Sequence, residues 1–269
     1  MERVHAFEFE DLPWVPAAVR DGGRDLLDVM FARLRFYRPL APALRDLLRE
    51  TGFDALSDVC SGSGGGAVAM LAELDALSHR EVSLSLSDRF PNESAIARVR
   101  DEGDARVRYL AAPRDALDAP ADPQAVRTMF GALHHFRPDD VRRAITRAVE
   151  ARVPVAFFDV AASPVIRRLP GALLPLAAVP NLALLFAISL ALVPLARPFR
   201  LSRVALSYAL PLIPVLYAWD GTVSALRAYT PEELLAIARS TPGGDGYDWR
   251  CEREGPALAL LGRPLPQRA

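Results

Sequence analysis

Apolar residues recur along this chain at two distinct spacings. Over residues 25–37, Asp-Leu-Leu-Asp-Val-Met-Phe-Ala-Arg-Leu-Arg-Phe-Tyr, they return every three or four positions, and the pattern resumes to Leu48 after Pro39 and Pro42. That spacing predicts two amphipathic helices in the first 50 residues. From Ala55 the pattern changes to short apolar runs alternating with helical stretches. Strands are expected at 56–60, 82–87, 107–111, 125–130 and 153–160, with helices at 67–76, 92–102 and 138–150 between them. Regular β–α alternation implies a parallel, doubly wound sheet. Thr230 as N-cap and Pro231 at the first helical position begin a helix over 231–240. Two further strands, 247–252 and 257–261, are separated only by a turn at Gly255-Pro256, which predicts an antiparallel hairpin.

One block interrupts this order. No charged residue occurs from Leu169 to Ala196 or from Val204 to Trp219, and Arg197, Arg200 and Arg203 stand between the two runs. The first run is long enough for a membrane span of about 20 residues. Pro170, Pro175, Pro180 and Pro194 cut it, however, so two short helices of roughly ten to twelve residues fit better than one straight span. The strands on either side belong to one sheet, so both ends of the block must emerge on the same side of a membrane. A crossing would also carry the three arginines to the far side, against the positive-inside tendency. A hairpin that dips in and returns is therefore expected, with Arg167, Arg168, Arg197, Arg200 and Arg203 at lipid headgroups. The alternative is a buried lid or a homodimer interface in a soluble enzyme.

Composition narrows the chemistry. The 269 residues carry a formal net charge of −1 with 24% charged and 51% hydrophobic residues, which indicates neither disorder nor nucleic-acid binding. Cys60 and Cys251 have no metal-ligand or disulfide spacing, so no metal site is expected. All 32 basic residues are arginines, which excludes Schiff-base or P-loop lysine chemistry. Residues 1–11 are acidic and lack an apolar run, so no secretory signal is expected there.

The sharpest motif is Asp58-Val-Cys-Ser-Gly62-Ser-Gly64-Gly65-Gly66, at a strand-to-helix junction. Glycines there admit a ligand close to the backbone, and the helix N-terminus offers free N–H groups to it. Asp88, 24 positions after Gly64, ends the next strand, where an acid accepts hydrogen bonds from ribose hydroxyls. Residues 62–67 also fit the dinucleotide fingerprint G-x-G-x-x-G/A, so a nicotinamide-dependent reductase is the alternative, although the chain has no Tyr-x-x-x-Lys pair. Three features favour another cofactor: the acid Asp58 before the glycines, Asp115 placed for an adenine-edge contact, and the seventh, antiparallel strand.

With these residues in place the chain resembles the class I S-adenosylmethionine-dependent methyltransferases over roughly residues 50–162 and 228–263. Asp58-x-x-x-Gly62-x-Gly64 is similar to their first motif, and Leu133-His134-His135-Phe136 is similar to the segment following their fourth strand. The family's first glycine is Cys60 here. The resemblance implies S-adenosyl-L-methionine as cofactor, held by Asp58, Ser61, Gly62, Ser63, Gly64, Asp88, Arg89 and Asp115. Methyl transfer needs a nucleophile held in line with the methyl carbon, and a base helps where that nucleophile is a hydroxyl or an acidic carbon. His134 and His135 are candidates for that base, with Asp220 as a further catalytic candidate. In Trp219-Asp220-Gly-Thr-Val-Ser224-Ala-Leu-Arg227, the acid, hydroxyl and guanidinium share one helix face. That face would either line the acceptor pocket or anchor the apolar block through an Asp–Arg pair. The segment Glu8–Trp14 would cover the cofactor or dock as an arm.

The expected fold is thus an α/β, doubly wound, mostly parallel seven-stranded sheet with an antiparallel C-terminal hairpin. Residues 1–50 form an N-terminal helical cap, 51–162 and 220–269 the methyltransferase domain, and 163–219 a membrane-associated helical insertion. The expected function is methyl transfer to a small hydrophobic or lipid-like acceptor on the cytoplasmic side of a membrane, with a soluble cytoplasmic enzyme second. A non-catalytic, membrane-anchored cofactor-binding protein is the third reading.

Overall fold

Ser57 and Asp58 are polar yet buried, because β1 (Ala55–Val59) runs through the middle of a seven-stranded sheet. The computed structural model describes residues 3–78, 80–163, 168 and 170–266. Arg167 and Leu169, named above at the start of the apolar block, lie outside the described residues. The chain divides into two compact units: Arg35–Ala161 with Tyr229–Ala269, and Met1–Leu34 with Ala162–Ala228.

The first unit holds the sheet. Its other strands are β2 (Ser83–Ser87), β3 (Val107–Tyr109), β4 (Val126–Phe130), β5 (Val155–Val160), β6 (Tyr247–Glu254) and β7 (Ala257–Pro264), in the order β3-β2-β1-β4-β5-β7-β6. β1 to β5 are parallel, whereas β7 runs antiparallel to β5 and pairs with β6 through the turn at Gly255-Pro256. Strands buried on both faces read as continuous apolar runs, and β4 and β5 do so apart from Arg127, Thr128 and Asp159. The strand order reverses between β1 and β4, the position at which open α/β sheets bind ligands beyond the carboxyl ends of their strands.

Helix boundaries follow local chemistry. Asn92 accepts the N–H of Ala95 and caps Glu93–Glu102, which ends at left-handed Gly103. Pro138 opens Pro138–Ala151, whose Val141, Ala144, Ile145 and Ala148 form one buried face. Thr230 and Glu233 form a reciprocal capping box at the start of Pro231–Ser240. The helical cap expected over residues 1–50 divides at Leu34: the helix Ala41–Thr51 buries Leu44, Leu47 and Leu48 within the sheet unit.

The second unit is a helical bundle. Ala17–Arg33, Leu174–Leu192 and Leu212–Arg227 share a core that includes Val19, Leu26, Leu192, Ile213 and Leu216. Gly23 permits the close approach, since a Cβ there would lie 2.8 Å from Leu216 Cδ2. Residues 220–228, expected in the methyltransferase domain, belong to this bundle.

The apolar block differs from expectation in two respects. Leu174–Leu192 is one helix of 19 residues, not two short ones. Pro175 occupies its first turn, where the missing N–H has no partner to lose, and only Pro180 lies inside. Continuity past Pro180 is supported by packing and by Asn181, whose Nδ2 donates to Thr222 Oγ1 at 2.9 Å. The second difference concerns the arginines. Arg203 is buried, pairs with Asp25 and donates to the carbonyls of Ala196 (2.8 Å) and Pro198 (2.7 Å). Arg200 also pairs with Asp25, at 3.3 Å. Both hold the bundle together instead of reaching for headgroups; Arg197 and Arg168 are exposed.

Candidate cofactor and acceptor site

The glycine turn leaves β1 through Cys60, whose φ of 57° is left-handed, as are those of Gly62 (53°) and Gly64 (81°). A conformation that glycine adopts freely is thus held here by a cysteine, at a cost of about 1–2 kcal/mol. Burial, with the nearby charges of Asp88, Asp58 and Asp115, pushes the Cys60 thiol well above its usual range, so it stays protonated. Gly64 needs its missing side chain, because a Cβ would lie 2.8 Å from Leu86 Cδ1. A Cβ on Gly62 would meet open space. The turn therefore sits tight against the sheet on one side and is open on the other. Gly65–Leu77 starts immediately after it, so its first N–H groups, which have no intrahelical partners, lie at the turn.

Asp58 and Ser61 face each other. Ser61 Oγ donates to Asp58 Oδ2 at 2.6 Å, Thr128 Oγ1 donates to Oδ1 at 2.9 Å, and the Ser87 N–H donates to Ser61 Oγ at 3.0 Å. These bonds lock β1, β2, β4 and the turn together. Burial drives the Asp58 carboxyl up to about 7; the two hydroxyls oppose that shift and the charge of Asp88 adds to it. Asp58 and Ser61, expected to hold the cofactor, thus prop the turn from beneath.

Asp88 reaches the turn from the end of β2. Its Oδ2 accepts the Gly62 N–H at 2.8 Å and its Oδ1 accepts the Phe90 N–H at 2.8 Å, which leaves each oxygen capacity for a further donor. Tyr109 Oη donates to the Gly62 carbonyl at 2.7 Å, and Arg98 donates to the carbonyl of Ser63. Asp115 Oδ1 accepts the Leu117 N–H at 2.9 Å, while Oδ2 lies 3.5 Å from Arg89 Nη1. The Arg89 guanidinium lies 5.5 Å from the centroid of the exposed Phe90 ring. Gly62, Ser63, Gly64, Asp88, Arg89 and Asp115 are therefore all at the carboxyl ends of β1, β2 and β3.

β4 and β5 bring up the histidines. His134 is buried in the turn Leu133–His135, and His135 is exposed, with its ring centroid 4.3 Å away. His134 Nδ1 is 2.7 Å from Asp159 Oδ1, and the His134 backbone N–H donates to Asp159 Oδ2 at 2.6 Å. Buried Tyr229 ties the same segment down through the Phe136 carbonyl at 2.8 Å. Asp159 went unnoticed in the sequence, although a lone acid in the apolar run Val155–Val160 is a signal for it. Tyr37 was missed as well. It packs edge-on against Phe130 and Phe158, and burial with the charges of Asp159 and Asp58 holds its hydroxyl well above the usual phenol range.

In the helical unit, Asp220, Ser224 and Arg227 share the helix Leu212–Arg227 as expected, and their side chains grip the N-terminal segment, with Ser224 Oγ also reaching the Asp220 carbonyl at 2.8 Å. Asp220 Oδ1 and Oδ2 accept the N–H groups of Phe9 (2.6 Å) and Glu10 (3.0 Å). Ser224 Oγ donates to Glu8 at 3.1 Å, and Arg227 pairs with Glu8 at 3.2 Å. Burial raises the Asp220 carboxyl to about 6 against those two bonds. Both its oxygens are engaged by backbone, which makes it a clamp for a docked arm.

No protein-family model matches the sequence, and no curated protein matches it. Its likeness is to solved structures. Human N-acetylserotonin methyltransferase with S-adenosylmethionine has a TM-score of 0.52 at 12% identity, covering 93% of this chain and 58% of its own. An O-methyltransferase family protein from Burkholderia thailandensis gives 0.53 at 12%, covering 91% and 60%. The O-methyltransferase of neocarzinostatin biosynthesis, bound to S-adenosylmethionine and 2-hydroxy-5-methyl naphthoic acid, gives 0.52 at 14%, covering 93% and 59%. The fold is that of the class I methyltransferases, and the chain spans about three fifths of the length of these proteins.

Proposed function

We propose that the protein transfers the methyl group of S-adenosylmethionine to a hydroxyl of a small hydrophobic or lipid-like acceptor at a membrane surface. The His134–Asp159 pair, on strand ends next to the glycine turn, carries this reading. The fit of the cofactor rests on the open side of Gly62, the remaining acceptor capacity of Asp88 and the left-handed turn. Gly62, Gly64, Asp88 and Asp115 would hold it, and when bound it supplies a methyl on a sulfonium open to in-line displacement. Asp159, an acceptor, fixes the proton of His134 on Nδ1, so Nε2 is the ring nitrogen that would act as the base. The acceptor hydroxyl gives its proton to Nε2 as its oxygen takes the methyl, so the products are a methyl ether and S-adenosylhomocysteine. His135 would line the approach, and Asp220 a docked arm. The long uncharged block supports an acceptor that partitions into lipid.

The test is a methyl-transfer assay with methyl-labelled S-adenosylmethionine against hydroxyl-bearing lipid and phenol extracts. Label should enter the organic phase with wild-type protein and be lost with His134→Asn. Transfer that survives His134→Asn unchanged would remove the proposed base.

A further inference from the structure

The helical bundle presents an apolar face that its own packing leaves uncovered. Along the stretch Gly171–Leu195 only 18% of the most apolar window is buried. Leu176, Val179 and Leu184 lie exposed along one stripe of Leu174–Leu192, at the spacing of a single helix face. Phe199, Leu201 and Leu210 are exposed on the following segment, where Leu201–Ala209 and Leu212–Arg227 meet at 77°. The opposite side of Leu174–Leu192 is occupied: Ser189 and Leu192 are buried, and Leu192 packs into the core shared with Ala17–Arg33. That partner helix carries Arg20, Asp21, Arg24 and Asp28, so it cannot lie in hydrocarbon.

We infer that this face is the seat of a monotopic membrane anchor: the bundle lies along one leaflet of an anionic bilayer with the stripe and the bend immersed, and nothing crosses. The inference deepens the membrane part of the function proposed above and rests on it. Charge selects the occupant. Residues 170–219 contain no carboxylate, and their only charges are Arg197, Arg200 and Arg203. Asp25 offsets one of the two charges of Arg200 and Arg203, so the remainder there is positive, and the exposed charges at the two ends of the stripe, Arg168 and Arg197, are positive as well. Interfaces between proteins carry polar rims of both signs, whereas a rim that is only positive suits anionic headgroups. An amphipathic surface of this kind binds by apolar burial together with electrostatic attraction.

The experiment is flotation of the full chain with phosphatidylcholine vesicles, with and without phosphatidylglycerol, alongside light scattering without lipid. Wild type should float, more strongly with the anionic lipid, and run as a monomer without lipid. Leu184→Glu with Leu210→Glu should lower the floated fraction at least about tenfold and leave the circular dichroism and S-adenosylmethionine binding unchanged. Calorimetric titration of the cofactor keeps the two readings apart: flotation without cofactor binding would end the enzymatic reading and leave the anchor standing. The anchor is overturned by wild type that stays unbound to vesicles, by a dimer that the double substitution splits, or by protease cleavage from both sides of a sealed vesicle.

Discussion

His134 Nδ1 lies 2.7 Å from Asp159 Oδ1, and the same carboxylate accepts the His134 backbone N–H through its other oxygen at 2.6 Å. One acid thus fixes both the ring and the chain that carries it. Replacing His134 with Asn should lower kcat by about 10²–10⁴-fold, the usual worth of a general base, with the cofactor Kd unchanged. Asp159→Asn should also lower kcat and leave KM near wild type, because it disturbs the tautomer and not the acceptor pocket. Equal loss of cofactor binding in a calorimetric titration would assign the pair a structural role.

Buried acids set the pH profile of stability. Asp58 ionises at about 7 and Asp220 at about 6 in the folded chain, both above the 3.8 of a free aspartate. Between pH 4 and 7 the folded state therefore binds more protons than the unfolded one, and stability falls as pH rises. Asp58 alone accounts for a decline on the order of 4 kcal/mol. Thermal melts from pH 4.5 to 8 should show this decline, and Asp58→Asn should flatten it. An Asp58→Asn profile as steep as wild type would contradict the assignment.

Cys60 holds a backbone conformation that disfavours side chains. Cys60→Gly should fold and bind cofactor within about threefold of wild type, since the relief of strain and the added chain entropy nearly cancel. Cys60→Val, β-branched at positive φ, should lose about 1–3 kcal/mol. Chemical denaturation measures both, and a Val variant as stable as wild type would mean that the turn is not strained.

The arginines of the apolar block should separate into two kinds. Arg203→Ala leaves Asp25 without its closest buried partner and should cost about 3–5 kcal/mol. Arg197→Ala should leave the melting temperature within about a degree, as surface changes do, while lowering the salt-sensitive part of vesicle binding. Equal effects on stability would undo the distinction.

Much of this architecture was legible in the spacing of apolar residues. The strands at 56–60 and 153–160, the capping at Thr230 and the hairpin at Gly255-Pro256 all follow from local chemistry, and the structure has them within a few residues. The glycine turn was legible because left-handed φ at Gly62 and Gly64 selects glycine, and Asp88 because it ends the strand beside that turn. Long-range partners were not: Asp159 meets His134 across 25 positions, and Arg203 meets Asp25 across 178. A run of prolines also overstated the break in the apolar block: Pro175 lies in the first turn, and the helix runs on through interior Pro180, where Asn181 bonds Thr222 of the neighbouring helix, a contact 41 positions away in the sequence. The arginines looked like headgroup ligands for a similar reason, since their acidic partner stands far away in the sequence.

The most direct test of the whole account is calorimetric titration of the purified protein with S-adenosylmethionine, S-adenosylhomocysteine and NADPH. The account predicts binding of the first two, a loss of at least about tenfold (1.4 kcal/mol) with Asp88→Ala, and no binding of NADPH. Selective binding of NADPH, or cofactor binding indifferent to Asp88, would contradict it.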